Sequence, residues 1–148
     1  MHGLKAFMVA PTAIIRGVGK TVGMELLDDV EGMTGYYDSN LDGKCERAAK
    51  EFIENKNGFD FGFVHFKGID DAGHDKSAQI KIEQLEKADI AIGKLVNKLA
   101  EHSRENAHEQ FIVCVTGDHT TPVRYGDHSS EPVPVALGLA KQICENLE

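Results

Sequence analysis

Apolar residues recur along this chain in short blocks, some at helical spacing and some as continuous runs suited to buried strands. Residues 11–23 read as a helix, with Pro11 tolerated near its start. Residues 24–29 suit a short strand. Gly32-Met33-Thr34-Gly35 and Asp38-Ser39-Asn40 punctuate a loop. Over 42–55 the residues Cys45, Ala48, Ala49, Phe52 and Ile53 share one face, which predicts an amphipathic helix. Phe61 to Phe66 is a run for a buried strand. The longest helical pattern spans 76–101, with Leu85, Ala88, Ile92, Leu95, Val96 and Leu99 as its apolar stripe and Asp75 as its N-cap. Phe111 to Val115 and Val133 to Leu137 predict two further buried strands, and 139–147 a terminal helix. This alternation predicts an α/β fold: one domain over 1–148, with a mostly parallel sheet flanked by helices.

Composition narrows the function. A chain of 148 residues that is 41% hydrophobic can build a core. Its apolar runs are too short to span a bilayer, and its first residues lack signal-peptide anatomy. Cys45, Cys114 and Cys144 are widely spaced with no CxxC, as expected of reduced thiols in a cytoplasmic protein; Cys114, inside a strand pattern, is expected in the core. The net charge is −8, and the arginines are only Arg16, Arg47, Arg104 and Arg124. A nucleic-acid partner would need a basic stripe that is absent. For an anionic substrate, bound cations would have to supply the counter-charge.

The chemistry sits where predicted strands end. Asp70-Asp71-Ala72-Gly73-His74-Asp75 follows one strand. Thr116-Gly117-Asp118-His119-Thr120-Thr121-Pro122 follows another, and His128 comes nine residues after His119. In open α/β sheets, ligands bind beyond the carboxyl ends of strands. Asp70 and His74, four apart, can face one ion; Asp118 and His119 are adjacent on a loop. Each pair alone fits a helix cap or a polar turn equally well. Together with His128 they form a carboxylate–imidazole set without thiolate, suited to manganese, magnesium or zinc.

Two other motifs are set aside. Arg16-Gly17-Val18-Gly19-Lys20-Thr21 ends like a P-loop but has Ile14 where the first glycine belongs. Asp38 to Gly43 copies half of an EF-hand loop, with Ala49 at the position of the bidentate Glu; it reads as a turn and helix cap. His65 reads as a core group or a support to ligands, and His2, His102 and His108 as surface residues.

The runs His65 to Asp75, Thr116 to Val123 and His128 to Pro134 resemble the cofactor-independent phosphoglycerate mutases, nearest their archaeal-type branch, within the alkaline phosphatase superfamily. The resemblance covers roughly residues 11 to 137, including Arg16-Gly17-Val18-Gly19 and Gly32 to Tyr36. It implies a partial alkaline-phosphatase-like core and two divalent ions, with no organic cofactor. Asp70, His74 and His128 would ligate the first ion, and Asp118 and His119 the second. In the family the second ion also uses an N-terminal aspartate and a nucleophilic serine, and neither has a counterpart here. The chain therefore looks like the C-terminal portion of a mutase that interconverts 3-phosphoglycerate and 2-phosphoglycerate in glycolysis and gluconeogenesis, with no catalytic nucleophile of its own and negligible activity alone. A sheet lacking its N-terminal strand is expected to associate, as a homodimer or with an N-terminal fragment. Two readings stay open beside this one: another phosphatase or phosphomutase of the superfamily, and a non-catalytic metal-binding module.

Overall fold

The computed structural model describes residues 3–54 and 56–145. They fall into two units, Met1–Gly68 and Ile69–Glu148. The first is built around β1, Ala6–Val9, whose four residues are all buried. Its neighbours are β2, Glu25–Leu26, and β3, Phe61–Val64, giving a parallel sheet of order β2-β1-β3. Parallel pairing requires crossovers, and these are the helices α1, Ala13–Thr21, and α2, Leu41–Glu54. Phe7, Val9, Leu27, Ala48 and Phe59 form the core, with Phe52 and Val64 packed against it. The Phe7 ring lies 4.9 Å from Phe52 and meets Phe59 edge-on at 5.3 Å, an arrangement the ring quadrupoles favour.

Sequence pattern placed α1, β2, α2 and β3 to within a few residues and passed over β1. Asn40 caps α2, its side-chain oxygen accepting from the Gly43 amide at 2.8 Å. The helical course of 13–21 leaves no phosphate-cradling loop there, and the EF-hand-like stretch runs directly into α2.

The second unit contains α3, Gly68–His74, which begins at its boundary, then α4, Ala78–Glu105, the strands β4, Ile112–Thr116, and β5, Val135–Leu139, and α5, Ala140–Glu145. Asp75 is not the cap of the long helix. Its amide still donates to Asp71, closing α3; Lys76 then takes a left-handed φ of 54° and Ser77 caps α4 through the Ile80 amide at 3.3 Å. The buried stripe of α4 runs through Gln84, Ala88, Ala91, Val96 and Leu99, while Leu85 is exposed. α4 packs along α5, where the Cys144 thiol donates to the Asn97 side-chain oxygen.

β4 and β5 pair antiparallel as a two-stranded ribbon. Both strands were expected to be buried, yet Ile112, Val135 and Leu137 are exposed, and Cys114 is exposed as well. Cross-strand partners share a face, so the register Cys114 with Leu137 and Thr116 with Val135 gathers this apolar surface on one side. The expected terminal helix ends, as described, at Glu145; its last residues, and His2, lie outside the described residues. His102 is half-buried against Glu109 rather than at the surface. Among the described residues no helix is long and apolar enough to cross a membrane.

Candidate metal centre

All five sequence-selected residues lie in the second unit and converge. On α3 the i, i+4 spacing puts Asp70 and His74 on one face. Between them Gly73 packs directly on Thr121, and a Cβ there would overlap the Thr121 carbonyl oxygen and side chain. The other donors come from the long loop joining β4 to β5. Thr120 and Ser129 close that loop on itself by a backbone bridge, with the Ser129 amide donating to the Thr120 carbonyl at 3.0 Å and their hydroxyls 2.6 Å apart. Within it, the Tyr125 and Gly126 amides both donate to the Pro122 carbonyl. Gly126 has φ +75°, a conformation L side chains rarely adopt, and this turn aims Asp127 and His128 back at α3.

Three donor atoms form one tight triangle. His74 Nε2 is 3.1 Å from His128 Nε2 and 3.4 Å from Asp70 Oδ1, and His128 Nε2 is 3.7 Å from Asp70 Oδ1. A point equidistant from these atoms lies about 2.0 Å from each, the bond length of a divalent ion to imidazole and carboxylate. The spacing of the set therefore matches that of three donors to one ion. His74 Nδ1 faces the Gly126 carbonyl at 3.3 Å. A carbonyl only accepts, so Nδ1 carries the proton and Nε2 keeps the lone pair that ligation needs.

Asp118 and His119 make the second group. Asp118 is exposed and its Oδ2 is 3.5 Å from His119 Nε2. The His119 ring stacks on His128 at 3.6 Å between centroids, so the two groups are contiguous. Asp70, His119 and His128 also offer donor atoms within 4.8 Å of one another.

Two residues at the centre were not singled out from sequence. Asp127 offers a donor within 4.8 Å of His74 and His128. The signal was present: Asp127-His128 repeats the Asp118-His119 dyad. Thr121, 4% exposed, donates from its hydroxyl to Asp70 Oδ1 at 2.6 Å, and its carbonyl accepts from Lys81 Nζ at 2.6 Å. His65 belongs to the first unit, half-buried beside Phe63. Arg16 pairs with Asp28.

The sequence matches the family model described as the metalloenzyme superfamily over residues 1–146. It is 38% identical over 139 residues to a 2,3-bisphosphoglycerate-independent phosphoglycerate mutase of Methanopyrus kandleri, covering 94% of this chain and 30% of that protein. With the protein of the same name from Picrophilus torridus it shares 36% identity over 90% of this chain and again 30% of the relative. A solved structure of a Pyrococcus horikoshii protein superposes with a TM-score of 0.76 at 35% identity, over 90% of this chain and 37% of that one. The chain thus spans about a third of the length of the proteins it matches.

Proposed function

The chain belongs to the metalloenzyme superfamily, and from that membership we propose that it is the C-terminal, metal-holding portion of a 2,3-bisphosphoglycerate-independent phosphoglycerate mutase. The observation that carries this reading is the triangle of Asp70, His74 and His128 beside Asp118 and His119, in a chain whose relatives bear that name. Asp70, His74 and His128 hold one divalent ion, and Asp118 and His119 contribute to a second. Manganese or magnesium is the choice that the resemblance to the mutases implies, and a carboxylate–imidazole set without thiolate is compatible with zinc as well. Such ions, when bound, lower the pKa of a coordinated hydroxyl and neutralise charge on phosphoryl oxygens.

The chain's own residues orient and hold the donors. The Gly126 carbonyl keeps the His74 ring turned with Nε2 inward. The 120–129 bridge keeps the two loop histidines stacked. We assign no serine of this chain as the nucleophile; Ser39 bonds Thr34, Ser77 caps α4, Ser129 bonds Thr120 and Ser103 is buried. Interconversion of 3-phosphoglycerate and 2-phosphoglycerate, in glycolysis and gluconeogenesis, is accordingly assigned to the full-length protein in the cytoplasm, and this chain alone should turn over neither. The exposed apolar face of the β4–β5 ribbon supports association with a second copy or with an N-terminal fragment of the same protein.

Titration calorimetry with Mn²⁺ on the wild-type chain and His74→Ala tests the ligand assignment. Loss of one bonded donor should weaken binding at the first site by at least tenfold; equal binding by both proteins would reject it. In parallel, mutase turnover of the isolated chain at ordinary enzymatic rates would sink the claim that the nucleophile lies elsewhere.

A further inference from the structure

We propose that Thr121 is a positioning residue whose single hydroxyl proton sets the donor state of both halves of the metal centre. The inference rests on the reading of Asp70 and His119 as ligands. Thr121 Oγ1 lies 2.6 Å from Asp70 Oδ1, the length of a charge-assisted bond from a hydroxyl to a carboxylate. A carboxylate has no proton to give, so the threonine proton is committed to Asp70. The same oxygen lies 3.3 Å from His119 Nδ1. Only lone pairs remain on that side of Oγ1, so the contact is attractive only if Nδ1 carries the imidazole proton. His119 Nε2 is then left with its lone pair, 3.5 Å from Asp118 Oδ2. The opposite tautomer would set two lone pairs against each other at 3.3 Å at Thr121; the assigned one faces the Nε2 lone pair to Asp118 Oδ2 at the longer 3.5 Å, a separation that an ion bound by both atoms would relieve.

Thr121 is itself fixed from two other directions. Its carbonyl accepts from the Lys81 ammonium, so α4 anchors its backbone. Gly73 lies against it without a Cβ to hold α3 away. Because it is buried, water is a poor substitute for its hydroxyl. Thr121 thus ties the first-site carboxylate to the second-site imidazole through one oxygen atom.

The test uses the whole chain and two variants, Thr121→Val, which keeps the shape and removes the hydroxyl, and Thr121→Ser, which keeps the hydroxyl. Long-range ¹H–¹⁵N correlations on the metal-free protein read the His119 tautomer. The wild type and Thr121→Ser should show Nδ1–H, and Thr121→Val a mixture or a switch. Mn²⁺ calorimetry should show a loss of about 10–100-fold in affinity for Thr121→Val, as for other groups that orient ligands, with most of it recovered in Thr121→Ser. An Nε2–H tautomer in the wild type, a tautomer unchanged in Thr121→Val, or wild-type affinity in Thr121→Val would each overturn the proposal. Failure of the ligand reading shows separately, as His74→Ala binding Mn²⁺ like the wild type.

Discussion

Lys44 is fully buried, and its ammonium meets the His65 carbonyl at 3.2 Å and the Phe66 ring, with no carboxylate in ion-pair range among the described residues. Burial brings its pKa down from 10.5 to about 8. The folded state therefore releases this proton first, and between about pH 8 and 10.5 the unfolded state binds more protons. Stability must rise with pH across that window. Beside it, burial pushes the Cys45 thiol up from 9.0 to about 12, which acts in the opposite sense above pH 9. Urea midpoints of the wild type should thus climb from pH 8 to 9 and then level. In Lys44→Met the climb should vanish and only the decline above pH 9 remain. A wild-type curve flat from pH 8 to 9 would show that the ammonium is solvated in the folded protein.

At the level of elements, the α3–α4 junction shows how local chemistry decides between competing caps. Asp75 and Ser77 are both good N-caps by type, but Asp75 is spent closing α3 and the left-handed Lys76 hands the role to Ser77. Ser77→Ala should lower unfolding stability by about 1 kcal/mol, read as a reduced urea midpoint at unchanged slope. Asp75→Ala should leave the α4 cap intact, and the reverse ranking would contradict the assignment. The same logic explains what sequence could and could not tell. Helices α1, α2, α4 and α5 and strand β3 were legible because their periodicity is long or their runs bounded, whereas the seven-residue α3 was not, since two turns dominated by Gly, Asp and His carry no apolar period. β1 was missed because Ala6 to Ala10 is a brief run with no periodicity to mark it, although its complete burial makes it the centre of its sheet. The stripe of α4 was read correctly at Ala88, Val96 and Leu99, but Leu85 was included although it is exposed, and Gln84 and Ala91, which pack, were passed over because neither is a large apolar residue. The clustering of Asp70, His74, Asp118, His119 and His128 could be anticipated because carboxylate and imidazole at strand ends are marked by residue type alone. Thr121 was not, because a threonine in a turn signals nothing until its neighbours are in place.

At the scale of the whole molecule, the β4–β5 ribbon leaves Ile112, Val135 and Leu137 in solvent on a strand pair too small to be stable alone. An exposed apolar face of this kind favours association. Light scattering should find the wild-type chain above monomer mass at micromolar concentration, and Val135→Lys with Leu137→Lys should shift it to monomer with metal binding retained. A wild type that stays monomeric would show that the face needs no cover.

The long separation within the donor set has one more consequence. Asp70 meets Thr121 across 51 positions and His74 meets His128 across 54, with all of α4 between them, and the three cysteines are free. An ion seated among these side chains would be the cross-link this chain otherwise lacks. It would fasten the hairpin loop to α3 and, like a disulfide, remove from the unfolded ensemble the freedom of a large closed ring. Holding the metal and holding the fold would then be one event.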